Sequence, residues 1–201
     1  MTAGACSGRA ALIYWNADIA VSISGSDIAG IASEVFNDPA ANQSTTTPLI
    51  SGSRSSSGYA GASGGNNYEA DAKVGSLSTS SSTYFSITLV PISGYTITLD
   101  SISMGSRSTA TGPTALTFYS SIDNYAAAIG SASVSASSGW AFISTINFSG
   151  NSLTDSDGSP LTFRIYGSGG SGTQPNSANW RIDDIIFTVT SSLVPVPESA
   201  T

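Results

Sequence analysis

Acidic side chains offer the clearest chemistry in this chain. Asp183 and Asp184 are neighbours in the run Trp180-Arg-Ile-Asp-Asp-Ile185, which is rich in β-forming residues. Alternation along a strand predicts that the two carboxylates point to opposite faces, with Asp183 and Arg181 on the apolar face. A carboxylate there needs a cation or hydrogen-bond donors. Two interpretations remain open: a structural Ca²⁺ site completed by Asp18 and loop carbonyls, or an Asp183–Arg pair or backbone hydrogen bonds.

The other acidic residues carry weaker signals. Asp155-Ser-Asp-Gly158 has only two acids before its Gly and no Glu at its far end, so a polar turn is favoured over a calcium-binding loop. Glu69 and Asp71 would share one face of a strand, but a glycosidase needs two carboxylates that face each other across a cleft. The 13 acidic residues are scattered and predict no such pair.

Nucleophilic catalysis lacks its usual partners. The chain has no His, which excludes a His-containing triad, a His-ligated metal centre and a His pH switch. Ser is abundant, but Lys73 is the sole Lys that could serve as its base. Cys6 is the sole Cys, so no intrachain disulfide can form. The sequence therefore predicts a protein without catalytic activity.

Aromatic residues in or beside polar loops are the candidate carbohydrate-binding residues: Tyr59, Tyr68, Tyr119, Tyr125, Trp140 and Tyr166. The C–H faces of sugar rings pack against exposed aromatic rings, while polar side chains hold the hydroxyl groups. Each of these residues alone is also compatible with a place in the core or over a sheet edge. A sugar-binding site requires at least two of them exposed on one face.

Two of the five arginines lie in or beside segments that alternate like strands, namely Arg107 and Arg164. A guanidinium that is partly removed from water needs acceptors for its N–H groups. We therefore expect Arg107 and Arg164 to pair with Asp100 or Asp123 across the sheet, in a structural role.

The composition describes a neutral, hydroxyl-rich surface. Of 201 residues, 41 are Ser and 20 are Thr, while charged residues make up 9% and the net charge is -7. Six cations against 13 acids exclude a protein that tracks a nucleic-acid backbone. A hydrophobic share of 40% is high enough for a folded core. Asn42 and Asn147 match the N-glycosylation pattern, and O-linked sugars on Ser and Thr are an equal alternative.

Runs of β-forming residues alternate with Gly-, Ser-, Asn- and Pro-rich punctuation along the chain. The predicted strands are residues 12–15, 19–23, 28–36, 84–90, 95–104, 114–121, 140–148, 161–166 and 180–189. Short strands at this spacing without intervening helices predict an all-β, antiparallel sandwich. The best helix candidate is Ile122–Ile129, but this segment is short, so a non-helical conformation is favoured.

The Gly-, Ser-, Asn- and Pro-rich segments also indicate the domain organisation. We expect a tail over residues 1–9, one β-sandwich domain over 10–190 and a Pro-containing linker over 191–201. A Gly/Ser-rich loop is expected at about residues 42–65. No run of about 18 apolar residues is present, so no transmembrane helix is predicted.

The end of the chain resembles a sorting signal of bacterial surface proteins. Val196, Pro197, Glu198 and Ser199 read Val-Pro-Glu-Ser, which is similar to the Val-Pro-Glu-Pro hallmark of PEP-CTERM proteins with the second Pro replaced. The alternative is an extended Pro-rich linker. The resemblance implies an exported protein of the cell surface or extracellular matrix.

Five segments of the body resemble the β-sandwich ectodomain of PEP-CTERM proteins: Tyr84–Leu89, Gly94–Leu99, Ser106–Pro113, Leu161–Gly167 and Asn179–Ile185. The last segment is also similar to the final strand of carbohydrate-binding jelly rolls, in which an Ile-Asp-Asp-Ile run helps to hold a structural calcium ion. The resemblance implies a non-catalytic sandwich of jelly-roll type, and it implies no particular ligand.

Two classes of function fit these features. The favoured hypothesis is a polysaccharide-associated binding module, whose partner is an extracellular polysaccharide. The alternative is a self-assembling subunit of a filament, sheath or layer, whose termini or edge strands bind other copies. Two exposed aromatic residues on one face would favour the first hypothesis, and termini packed on a neighbouring chain would favour the second.

Overall fold

The computed structural model describes residues 9–15, 17, 22–24, 32–35, 49–51, 54–70, 72, 75–80, 82–90, 94–137, 139–148, 159–171 and 179–193. The regular structure of these residues consists of strands and one 3-10 turn, Ser121–Asp123. The strands are β1 Arg9–Trp15, β2 Ser22–Ser24, β3 Ala32–Val35, β4 Leu49–Ser51, β5 Asn67–Ala70, β6 Tyr84–Val90, β7 Tyr95–Ser108, β8 Ala115–Ser120, β9 Gly130–Ser133, β10 Trp140–Asn147, β11 Leu161–Ser168 and β12 Trp180–Leu193.

The strands form two antiparallel sheets. In sheet A the hydrogen-bonded order is β10-β7-β12-β1-β2, and β5 pairs with both β12 and β4. In sheet B the order is β3-β6-β11-β8-β9. The inner faces of both sheets contribute to one hydrophobic core. This arrangement confirms the predicted all-β, antiparallel sandwich.

Aromatic rings fill the space between the sheets. The Phe85 ring of sheet B lies 4.5 Å from the Trp180 ring of sheet A, and Phe163 lies 5.8 Å from Phe187. Burial of each such ring stabilises the fold by about 1.5–3 kcal/mol. Gly167 lets the Trp180 ring approach closely, because a Cβ atom at Gly167 would lie 2.9 Å from that ring.

Strand β11 alternates regularly. Phe163 and Ile165 belong to the core, so Arg164 and Tyr166 lie on the outer face of sheet B. The core of the sandwich therefore dictates which polar residues this sheet presents on its other side.

Strand β12 breaks its alternation at Asp184. Its φ of 50° is left-handed, and the register with β7 shifts between Asp183 and Ile186, which is a β-bulge. The extra residue changes the phase of the strand, so Ile182 and Ile185 both face the core. The prediction that Asp183 lies on the apolar face and opposite to Asp184 is wrong, because both carboxylates contact the same loop on the outer face of sheet A.

The structure adds short elements that the sequence pattern does not reveal. Strand β4 lies inside the segment expected to be a loop, and β5 and β9 consist mainly of small or polar residues. Segment Ile122–Ile129 is not an α-helix, because only the 3-10 turn forms there and Asn124 ends it in a left-handed conformation. Strand β12 continues to Leu193, beyond the predicted domain end at residue 190. In the part of the chain that the structure describes, no helix is long and apolar enough to cross a membrane.

Candidate functional site

Four tyrosines and one arginine gather on the outer face of sheet B. The strand register places Tyr166 of β11 opposite Tyr84 of β6, and Arg164 of β11 opposite Tyr119 of β8. Tyr125 adds the fourth ring from the segment after the 3-10 turn. We call these five residues the tyrosine face. It unites three of the six predicted carbohydrate-binding residues, although they are distant in sequence.

The guanidinium of Arg164 lies against two of the rings. Its central carbon is 3.6 Å from the centroid of the Tyr125 ring and 4.7 Å from that of Tyr84. These are cation–π contacts, which stabilise the charge while keeping it at the surface. Nη1 of Arg164 also donates a hydrogen bond to the Tyr166 hydroxyl at 3.3 Å. Burial opposes the charge, but the contacts with Tyr166, Tyr84 and Tyr125 together outweigh it, and the pKa of Arg164 is raised.

A tight turn places the Tyr125 ring over this guanidinium. Asn124 and Tyr125 both have left-handed backbones, with φ of 57° and 59°. Asn is one of the residues that tolerate this conformation, whereas it is an outlier for a bulky residue such as Tyr. The Asp123 carboxylate holds the turn by accepting hydrogen bonds from the N–H groups of Ala126 and Ala127, at 3.1 and 2.8 Å. The strained backbone at Tyr125 therefore serves to place the Tyr125 ring over the Arg164 guanidinium.

Tyr166 is the buried member of the tyrosine face. It is 0% exposed, and its hydroxyl donates a hydrogen bond to the carbonyl of Thr79 at 3.0 Å. Its ring lies 5.0 Å from Tyr84 and 5.4 Å from Tyr119. Burial raises the pKa of Tyr166, so the phenol stays neutral. The prediction that Tyr166 contacts sugar is wrong, whereas Tyr119 and Tyr125 keep part of their rings at the surface.

Arg164 is the one charged residue in β6, β8, β9 and β11. The predicted pairing of Arg164 with Asp100 or Asp123 is wrong. Asp123 caps its own turn, and Asp100 accepts a hydrogen bond from the Thr190 hydroxyl at 2.7 Å. The edge strand β3, beyond β6, contains Glu34. Within the side chains that the structure describes, the Arg164 guanidinium has no carboxylate partner.

The two carboxylates of the β12 bulge lie beneath the loop between β4 and β5. Asp184 accepts hydrogen bonds from the hydroxyls of Tyr14 and Tyr59, each at 2.5 Å, and from the N–H group of Ser63 at 3.2 Å. Asp183 accepts from the N–H group of Asp184 at 2.9 Å and from the Ser63 hydroxyl at 3.4 Å. The pair therefore anchors the loop to sheet A.

Burial raises the pKa of Asp183 to about 6. The charge of Asp184 also raises this pKa, while hydrogen bonds from Ser56 and from the backbone of Asp184 and Ala17 lower it. Calcium takes 6–8 oxygen ligands, and most oxygens of this pair already accept N–H or O–H donors. Among the described residues no group of three His, Cys, Asp or Glu residues could hold a metal ion. Asp18 lies outside these residues, so calcium binding by Asp18 and Asp183 stays a prediction.

Tyr59 connects the same loop to strand β10. Its ring centroid lies 6.4 Å from that of Trp140 and 5.8 Å from that of Phe142. The indole N–H of Trp140 donates to the carbonyl of Arg54 at 2.8 Å. Gly105 leaves room for the Tyr59 hydroxyl, which a Cβ atom there would overlap. Tyr59 and Trp140 thus lie together as the sugar-binding hypothesis requires, but their polar atoms fasten the loop.

Strand β5 supplies the partners of Arg181. The register places Glu69 opposite Arg181, and the two form an ion pair, with a further hydrogen bond from Arg181 to Asn67 Oδ1 at 2.9 Å. The alternative of an Asp183–Arg181 pair is therefore wrong, and the alternative of backbone hydrogen bonds to Asp183 is confirmed. The neighbouring Tyr68 is 4% exposed and belongs to the core, so its predicted contact with sugar is wrong.

The structure does not test the predicted roles of some site residues. Asn147 is exposed at the end of β10, and its glycosylation stays a prediction. The following lie outside the described residues: Cys6, Asp18, Asn42, Asp71, Lys73, residues 155–158, Val196, Pro197, Glu198 and Ser199.

Two aromatic residues of these clusters were not among the predicted binding residues. Tyr84 shares an outward phase with Ser86 and Thr88 in β6, and this polar alternation was the available signal. Phe142 follows Trp140 by two residues, so the two share one face of β10. Phe142 is 42% exposed.

No protein-family model matches the chain, and no curated protein sequence matches it.

Proposed function

We propose that this chain is an exported, non-catalytic binding module that attaches to polysaccharide at the cell surface or in the extracellular matrix. The observation that carries the proposal is the tyrosine face. Tyr84, Tyr119 and Tyr125 are half-buried around one guanidinium. Tyr84 and Tyr119 stand on the two strands that flank β11, and Tyr125 lies in the segment after the 3-10 turn.

This arrangement has the properties that sugar recognition needs. Rings held by packing lose little conformational entropy when a sugar stacks on them. Strands β6, β11 and β8 are hydrogen-bonded neighbours, so the spacing of the rings is rigid. Hydroxyl groups continue the same face, where Thr88 and Thr162 share a hydrogen bond at 2.9 Å. Such groups suit the hydroxyls of a sugar chain.

Export is supported by the sequence. The surface-type composition has 41 Ser and 20 Thr against 9% charged residues, and Val196–Ser199 is similar to a sorting motif of surface proteins. Neither feature depends on the identity of the bound glycan.

Binding to an immobilised panel of neutral and acidic polysaccharides tests the proposal. We expect the double variant Y119A/Y125A to lose binding at least tenfold, because two stacking rings are removed. F142A is the matched control, since it removes an exposed aromatic ring from the opposite sheet. Wild-type protein that binds no polysaccharide, or equal losses in both variants, would contradict the proposal.

Self-assembly is a second candidate, favoured by strand β10. Among the described strands this one is the last of sheet A on its side, and its sequence Trp-Ala-Phe-Ile-Ser-Thr-Ile-Asn contains no charge that would oppose edge-to-edge pairing. One feature counts against pairing: the register of β10 shifts between Ile143 and Ile146, and such irregularities protect edges.

Electron microscopy of concentrated protein separates the two candidates. If β10 mediates assembly, wild-type protein forms filaments or layers and T145K reduces them, because Thr145 is exposed and Lys blocks strand pairing. T117K places the same charge away from this edge as a control. A wild-type protein that stays monomeric at high concentration excludes assembly through β10.

A further inference from the structure

The charge of Arg164 distinguishes the tyrosine face from a neutral sugar platform. The protein has six basic residues among 201, yet one of them stands in the middle of this face. Its strand neighbours across the sheet are Ser86 and Tyr119, which are uncharged. Arg164 is a partly buried cation that, among the described residues, has no carboxylate partner, and it replaces lost hydration there with two ring contacts and one hydrogen bond.

The contacts of the Arg164 guanidinium show which of its N–H donors are already used. A guanidinium has five N–H groups, all in its plane. The Tyr125 and Tyr84 rings contact the guanidinium, and Tyr166 accepts one N–H bond. Within the described part of the chain no other acceptor takes a bond from Arg164. Donors are therefore left for an external acceptor, and a carboxylate matches two parallel N–H groups best.

We propose that the tyrosine face binds acidic polysaccharides of the uronic-acid class, with the Arg164 guanidinium pairing with a sugar carboxylate while Tyr119 and Tyr125 contact sugar rings. This inference rests on the proposed function and specifies its ligand. The net charge of -7 would repel a polyanion over long distances, so selectivity must come from this local pair.

Calorimetric titration with polygalacturonate and with its fully methyl-esterified form tests the inference. Esterification removes the negative charge and keeps the sugar backbone. We expect the wild-type protein to bind the acid form about tenfold to a hundredfold more tightly, at 0.15 M salt and with a chelator present to prevent calcium gels. R164Q should lose this preference, whereas R164K should keep part of it, since Lys retains the charge but not the planar fork.

R54Q is the matched control, because Arg54 is an exposed arginine near sheet A and removing it changes the net charge equally. Equal losses in R54Q and R164Q would overturn the inference, since they would indicate a general charge effect. Circular dichroism and the unfolding midpoint of R164Q verify that it folds, and R164K provides a second variant if it does not.

The remaining outcomes separate the two proposals. Binding of both polymers with equal affinity, lost in Y119A/Y125A, would overturn the uronic-acid inference and support the binding function. Absence of binding to both polymers would overturn the inference, and the neutral polysaccharides of the panel would then decide the binding function on their own.

Discussion

Because Gly105 has no side chain, the loop between β4 and β5 can pack against sheet A at this position. The Tyr59 hydroxyl occupies the position of a Cβ atom at Gly105 and from there reaches Asp184. We expect G105A to displace Tyr59 and to lower the free energy of unfolding by about 1–3 kcal/mol. Urea denaturation measures the loss, and limited proteolysis between residues 54 and 66 should become faster.

Two controls separate the overlap from other effects of the substitution. G139A adds the same methyl group where the nearest atom, Oγ of Ser137, is 3.7 Å away, so it should change stability little. Y59F keeps the ring and removes the hydroxyl with its hydrogen bonds to Asp184 and Ser56, which should cost about 1 kcal/mol. A G105A protein as stable as G139A would contradict the proposed packing.

Asp183 makes stability depend on pH. Its pKa is raised from 3.8 to about 6, so the folded state binds more protons than the unfolded state between these values. The free energy of unfolding from this residue therefore falls as the pH rises through that window. We expect D183N to remove about 1–3 kcal/mol of variation between pH 4 and 7.

Urea denaturation at several pH values compares D183N with wild type. The groups that face Asp183 remain in the variant, namely Asp184, the Ser56 and Ser63 hydroxyls and the Ala17 backbone, so a difference between the curves reports Asp183 itself. D123N is the control, because Asp123 is exposed. Parallel pH curves for D183N and wild type would show that the Asp183 carboxyl is not perturbed.

At the scale of one element, the β12 bulge depends on Asp184. A left-handed residue is tolerated best when it is Gly, Asn or Asp, and here the side chain also accepts hydrogen bonds from Tyr14 and Tyr59. We expect D184A to cost about 2–4 kcal/mol, since it loses the acceptor and strains the backbone. D184N keeps one acceptor and the backbone preference, so it should cost about 1 kcal/mol.

The variant D184G separates the backbone contribution of Asp184 to the bulge from the contribution of its hydrogen bonds. Glycine relieves the backbone but leaves the hydroxyls of Tyr14 and Tyr59 without an acceptor, so its stability should lie between those of D184N and D184A. Denaturant unfolding gives the order. A D184A protein as stable as D184N would show that the side chain does not hold the bulge.

Regular strands were predictable and short ones were not. Strands β6, β8 and β11 alternate apolar and polar residues along their length, which is a direct sequence signal. Strands β4 and β9 have three and four residues, which is too few for a pattern. The bulge was also invisible, because loop residues distant in the chain provide the bonds that stabilise it.

At the scale of the whole molecule, the core joins both sheets into one unit. Trp180 is fully buried between Phe85 and the backbone of Gly167, so W180A should cost about 3–5 kcal/mol. We expect unfolding to remain a single transition, because residues of both sheets share this core. Circular dichroism and fluorescence should give the same midpoint in wild type and variant. Separate midpoints for the two signals would contradict a single cooperative unit.

The sequence alone determined the class of the fold, because period-two alternation and Gly/Ser punctuation are local properties of the chain. It also identified Tyr119 and Tyr125 as candidate binding residues and excluded chemistry that needs His. Tertiary structure decided which candidates meet. Tyr84, Arg164 and Tyr125 come together only through the pairing of β6 with β11 and the turn after β8. Strand order and register are set by the packing of the whole sandwich, and no short stretch of sequence specifies them.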